Sequence, residues 1–280
     1  MGLPNHRGVA QLVARSVRDA EVVRSSRITP TILGIKSLFV FMHSVSCYEQ
    51  AFEPYRDEVA AIATRLDNGE QPRQVRGYIN SGWDFDVFRL KDARLVAKLP
   101  HTNESNAPEE VVRTVMQTLA RVAGRPGLEQ LVGGSLHYPT ALLCAYAPSQ
   151  NACDTPEAQL RGIQPQYFAR LFSNLQFLQN EGLFLDPGIG NVRYGRTQGF
   201  TLIDLLDETG YARQVPGEDN EQSFGDKVIA LGTTMLFHTG SSEVPLLGKL
   251  YRDACHELVG PDMAMALECE WEDAYRFRVA

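Results

Sequence analysis

Two aspartates and an asparagine stand in the segment FLDPGIGNVRYGRTQGFTLIDL, residues 184–205, whose other positions are mostly apolar or turn-forming. Apolar neighbours suggest burial, and a buried acceptor without a partner is costly. Asp186 precedes a Pro-Gly pair, Asn191 follows five residues later, and Asp204 comes thirteen residues after that. If Asp186 ends a loop after a buried helix while Asn191 and Asp204 bracket a hairpin, the three side chains converge. Such a set of hard oxygen donors suits Mg2+, with phosphate and water completing the coordination. A carboxylate not taken by the metal can accept a hydroxyl proton. The chemistry expected of this segment is therefore phosphoryl transfer from a Mg-nucleotide.

The surrounding pattern supplies the elements that would hold these groups. Phe168, Leu171, Phe172, Leu175 and Leu178 recur at helical intervals, and Gly182 reads as the C′ residue that stops the helix. Two short strands flank the YGRTQG turn. Upstream, Phe85, Val87 and Arg89 alternate, Lys91-Asp92 turns, and Leu95, Ala97 and Leu99 resume on one face with Val96 and Lys98 on the other. Asn106 with Glu109 reads as a capping box opening a helix through Val112, Val115, Met116, Leu119 and Val122. Strands are expected at Leu128–Val132 and Thr140–Ala145, and helices at Tyr48–Leu66, Lys227–Phe237 and Leu246–Leu258. Strands in the first half and helices in the second predict an α+β protein with two lobes.

In this order the residues resemble the protein-kinase-like superfamily. Asp186 and Asn191 match the Asp and Asn of its His-Arg-Asp-x-x-x-x-Asn loop, and Asp204 in LIDLLD matches its metal-binding Asp. Lys98 in LVAKLP matches the strand lysine that grips the α- and β-phosphates. The resemblance implies Asp186 as catalytic base, Asn191 and Asp204 as Mg2+ ligands, and Lys98 as the ATP lysine. It further implies that Glu109, closer to the helix's apolar stripe than Glu110, pairs with Lys98. Cys144, Ala145, Tyr146 and Ala147 would form the hinge against adenine, with Val87 and Val96 on the strand face of Lys98 enclosing the ring. The implied fold is two-lobed, with a small β-rich N-lobe and an abbreviated helical C-lobe.

The pattern departs from the family in places. Only Gly82 stands where three glycines should cover the phosphates, so the backbone cradle is expected to be weaker or to be shared by Ser81. Phe184 and Leu185 replace His-Arg, and Leu205-Leu206 replace Phe-Gly. Losing that Arg suggests constitutive activity. No Ala-Pro-Glu motif is present, and 22 residues separate Asp204 from Asp226, in DKVIALG, which resembles the family's central C-lobe helix. The compact chain, with D-x-x-x-G-N followed by IDL, is similar to kinases that pathogenic bacteria inject by type III secretion. A Ser/Thr protein kinase acting on a host protein is the expectation. An aminoglycoside-type small-molecule kinase and an inactive kinase-like scaffold are the alternatives.

Composition narrows the partners. The 280 residues are 44% hydrophobic, enough for one large domain or two small lobes. Five cysteines, without any C-x-x-C spacing, read as free thiols in a reducing compartment. No apolar run reaches the roughly 18 residues of a membrane span. Residues 1–41 carry six Lys/Arg and two Asp/Glu, so the remaining chain holds −7 − 4 = −11. An acidic body disfavours nucleic acid or anionic membrane as the main partner. Arg7–Thr31 resembles a translated bacterial transfer-RNA gene, so residues 1–41 are expected to be a non-native extension before a natural start at Met42. The organisation expected is a helical segment at 42–74, an N-lobe at 75–147 and a C-lobe at 148–280. The protein should be a monomer in the bacterial cytoplasm or, after secretion, in a host cytosol.

Overall fold

A computed structural model describes residues 45–82, 84–92, 94–101, 107–146, 150–186, 188–206, 223–237 and 245–279. The segment that resembles a transfer-RNA gene, and Met42, lie outside them. The fold is α+β and divides into two compact units.

The first unit, within residues 45–125 and 129–146, is built on an antiparallel sheet. Its strands are β1 (Tyr78–Ser81), β2 (Phe85–Arg89), β3 (Leu95–Pro100), β4 (Leu131–Ser135) and β5 (Ala141–Ala145), in the order β1-β2-β3-β5-β4. The alternation legible in the sequence sorts its faces. Phe88, Ala97, Leu99, Ala141 and Leu143 pack on Phe52, Val59, Ile62 and Ala63. These last residues come from helix α1 (45–52) and helix α2 (Arg56–Asp67), which a 3-10 turn at Glu53–Tyr55 separates. The backbones meet closely at Gly133, where a Cβ would lie 3.0 Å from the Phe52 amide nitrogen. Helix α3 (Pro108–Arg121) covers part of the opposite face, its Met116 sulfur 3.0 Å from where a Gly134 Cβ would be. Val111, Val112, Met116 and Leu119 give it a buried stripe.

Two sequence expectations change here. Helix α3 has Ala107 as N-cap, with no side-chain cap, and Pro108 in its first turn, where the missing N–H is no loss. Asn106, the expected cap, lies outside the described residues. Strand β4 begins three residues later than expected, and Leu128 instead forms a parallel bridge with Leu202 of the second unit.

The second unit, within residues 126–128 and 150–279, centres on α5 (Pro165–Asn180). A short β6 (Gln150–Asn151) and the single turn α4 (Glu157–Leu160) precede it. Phe168, Leu171, Phe172, Leu175 and Leu178 are buried along α5 as the periodicity predicts. Gly182 sits at φ +61, while Gly182 N–H donates to Gln179 O at 2.9 Å and Leu183 N–H to Leu178 O at 2.8 Å. This pair of bonds is a Schellman stop. It turns the chain directly into β7 (Phe184–Leu185), which pairs with β10 (Leu205–Leu206). Between them, β8 (Val192–Gly195) and β9 (Gly199–Leu202) form a hairpin joined by β6. The returning segment 126–128 is held by Asn174 Nδ2 donating to Pro126 O and Leu202 N–H to Gly127 O.

Helices α6 (Phe224–Phe237), α7 (Leu246–Leu258) and α8 (Pro261–Val279) complete this unit. The sequence reading contained α6 and α7 but not α8. At Gly232 a Cβ would lie 2.7 Å from both Leu267 and Tyr251, so only glycine lets these helices approach so closely. Buried Tyr251 donates to Val228 O at 2.9 Å, and its ring lies 5.3 Å from that of Phe172. Among the described residues no helix is long and apolar enough to cross a membrane.

Candidate functional site

Strand pairing brings together the segments that carry the three acceptors of the second unit. Leu205 pairs with Leu185 and Leu206 with Phe184, so Asp204 and Asp186 each adjoin the same paired position, Leu205–Leu185. In the neighbouring hairpin Val192 pairs with Leu202, and one step beyond, Ile203 N–H donates to Asn191 O at 2.9 Å. Asp186 Oδ1 accepts from the Gly188 amide at 2.9 Å, and its Oδ2 accepts from Asn191 Nδ2 at 2.7 Å. A 3-10 turn at Ile189–Asn191, closed by Asn191 N–H on Gly188 O, sets the five-residue spacing between them.

Gly188 packs tightly against this pair. A Cβ there would lie 3.2 Å from Asp186 Oδ1 and 3.3 Å from Asn191 Nδ2, against the very atoms that bond. Asp204 holds φ +56, the left-handed conformation that Asp and Asn tolerate better than other side chains. All three groups are half-buried and so remain within reach of solvent and ligand.

The donor chemistry fits Mg2+. The Asp186 bond uses the amide nitrogen of Asn191, so the amide oxygen is the atom able to serve a cation. Among the described residues no group of three or more His, Cys, Asp or Glu could hold a metal. Two protein oxygens, with phosphate and water supplying the rest, is the usual arrangement for Mg2+ and too few for a dedicated all-protein cage.

In the first unit Lys98 lies on β3, directly opposite Val87 of β2 and Leu142 of β5. Val96, two residues earlier, lies opposite Cys144. Val87, Val96, Lys98 and Cys144 therefore share one face, as the alternation predicts. Lys98 is 5% exposed, and its Nζ lies 2.9 and 3.1 Å from the two carboxylate oxygens of Glu129, equally buried. This corrects the partner expected from the sequence. Glu109 is exposed in the first turn of α3, where a carboxylate suits the helix dipole, and the lysine takes its carboxylate from the segment leading into β4. Gln130 anchors that segment, its Oε1 accepting from Gly124 N–H at 2.7 Å and its Nε2 donating to Arg125 O at 3.0 Å. The signal for Glu129 was a lone carboxylate between Leu128 and Leu131, in a stretch otherwise apolar enough to be buried.

The tip of the β1–β2 hairpin is tight, with Gly82 N–H donating to Phe85 O at 2.8 Å. Ser81, which the sequence reading set beside Gly82 over the phosphates, is occupied within the sheet. It pairs with Asp86, which pairs with Leu99, so it lies on the sheet face opposite Lys98. Its hydroxyl donates to Asp86, whose carboxylate also meets His101 Nε2 at 3.3 Å. At the expected hinge, the N–H of Ala145 donates to Gln130 O and that of Tyr146 to Arg94 O. Both donors are thus used within the sheet. The Tyr146 ring lies 5.0 Å beneath the Arg89 guanidinium, and Cys144 is buried on the Lys98 face. Ala147 lies outside the described residues.

No protein-family model matches the chain, and no curated protein matches it.

Proposed function

We propose that the chain is an ATP-dependent phosphotransferase of protein-kinase-like fold, a Ser/Thr protein kinase that bacteria deliver into a host cell. The observation that carries the reading is the 2.7 Å bond from Asn191 to Asp186, with Asp204 and Asp186 both adjoining the Leu205–Leu185 pair. The buried Lys98–Glu129 pair on β3 supports it independently, since strand β3 is where kinases carry the nucleotide lysine. The effector assignment rests on the compact chain and its D-x-x-x-G-N and IDL motifs.

The residues divide the work as follows. Glu129 holds the Lys98 ammonium at a fixed point, from which it donates to the α- and β-phosphates. The Gly188 amide and the Asn191 amide orient the Asp186 carboxylate, which accepts the proton of the attacking hydroxyl. Asn191 and Asp204 would hold Mg2+, which when bound would offset the charge of the phosphates. Positioning and charge compensation provide nearly all of the catalysis in such a reaction.

Intact-mass analysis after incubation with Mg-ATP and a generic acceptor protein tests the reading. The parent chain or the acceptor gains phosphate, whereas Asp186→Ala and Asp204→Asn give none. Equal modification by all three proteins, or none by the parent, sinks it.

A further inference from the structure

One buried charge in the second unit has no part in the chemistry above. Lys227 lies in the first turn of α6 and is 1% exposed, among the apolar side chains Val228 and Leu231. Its ammonium lies 5.7 Å from the centroid of the Phe184 ring. Phe184 is the first residue of β7, two before Asp186, and is itself buried. The start of α6 is fixed by a reciprocal cap, Ser223 N–H donating to Asp226 Oδ2 at 2.8 Å and Asp226 N–H to Ser223 Oγ at 3.1 Å. Lys227 therefore leaves the helix from a defined point.

A core position between helices is normally filled by an apolar side chain, because a buried ammonium opposes folding. Burial pushes this lysine down to about 8. Residues that break the rules of core composition tend to mark functional positions. A cation over an aromatic face is attracted to it, more strongly where water is excluded.

We infer that Lys227 is a positioning residue for the catalytic loop: its buried ammonium, seated over the Phe184 ring, fixes β7 and through it the Asp186 carboxylate. The inference rests on the phosphotransfer reading for its consequence to catalysis, but not for its structural part. β7 has only two residues and two paired positions with β10, so it has little hold of its own. A small shift of β7 moves Asp186 away from the line of attack, while the nucleotide lysine lies in the other unit and is untouched. Loss of Lys227 should therefore lower kcat and leave KM for ATP alone.

The test compares the full-length chain with Lys227→Met, which keeps the side chain's length and apolar stem, Lys227→Arg, which keeps the charge, and Phe184→Leu. Hydrogen exchange of the peptide spanning residues 183–191 is read in all four, together with Tm and the kcat and KM of Mg-ATP hydrolysis, water being the acceptor. In Lys227→Met, exchange in 183–191 is expected to speed at least tenfold while α5 and α7 stay protected. Its kcat falls about tenfold, and KM changes by less than twofold. Phe184→Leu gives the same exchange pattern, and Lys227→Arg restores most of the protection and rate. Parent-like exchange in Lys227→Met, or exchange accelerated throughout the second unit, overturns the inference. A parent that turns over no ATP refutes the phosphotransfer reading instead, and the exchange data still decide the place of Lys227.

Discussion

Removing the carboxylate of Glu129 gives the sharpest test of how Lys98 is held. At 2.9 Å and an effective dielectric constant near 20, two unit charges attract by about 6 kcal/mol, which offsets the cost of taking both out of water. The pair as a whole is therefore close to neutral for stability, yet either partner alone is not. Glu129→Gln leaves the Lys98 ammonium 5% exposed and without its counter-charge, a situation that costs on the order of 3 to 5 kcal/mol. Lys98→Met should cost a similar amount, and the double variant Lys98→Met/Glu129→Gln, which closes the cycle, should lose much less stability than the two single losses added together. Glu109→Gln, at an exposed position, should stay within about 0.5 kcal/mol. Urea unfolding of the five proteins, followed by circular dichroism, measures these differences. Single substitutions at Lys98 and Glu129 that simply add, with no coupling between them, would refute the argument. So would a Glu109→Gln that destabilises as much as Glu129→Gln.

Two further outcomes follow from the second unit. Gly188→Ala places a methyl group 3.2 to 3.4 Å from the Asp186 and Asn191 side-chain atoms, and should lower phosphoryl transfer at least tenfold in a labelled-ATP assay. Gly190→Ala, where a Cβ meets nothing within 4 Å, should leave the rate within about twofold of the parent, its backbone preference being the smaller effect. Lys227 gives the chain a pH signature: burial lowers its folded pKa from 10.5 to about 8, so between pH 8 and 9 the folded chain releases a proton that the unfolded chain keeps. The contribution of this lysine to stability then rises with pH across that window, and Lys227→Met should lack that contribution, which the difference between the two proteins reads. A parent whose urea midpoint falls steadily from pH 8 to 9, with Lys227→Met falling in parallel, would contradict it.

Local pattern carried much of this fold. The alternation around Val87 and Lys98 set both strand faces, and the interval between Asp186 and Asn191 already contained the turn that joins them. What was not legible depended on partners distant in sequence. β1 reads Tyr-Ile-Asn-Ser and is largely exposed, so it gives no burial pattern; only its pairing with β2 makes it a strand. Glu109 and Glu129 are the same residue type, and nothing local says which meets Lys98. The first turn of a helix favours a carboxylate for its own sake, which drew the sequence reading to Glu109. Ser81 beside Gly82 looked suited to phosphate, but its register against Asp86 sends it to the other face. Helix α8 lacks a clear apolar stripe and finds its place against α6, where Leu267 meets Gly232.

The left-handed backbone at position 204 also restricts which residues could ever replace the aspartate there. Glutamate keeps the charge but not the short side chain that eases this conformation, and most L-residues pay roughly 1 to 2 kcal/mol for adopting it. Glycine fits the turn easily and brings no oxygen. Asparagine alone keeps both the conformation and an oxygen donor while surrendering the charge. Random drift at this codon would therefore find chemistry and geometry both satisfied only by the residue already in place, and the nearest viable substitute is a less charged copy of it.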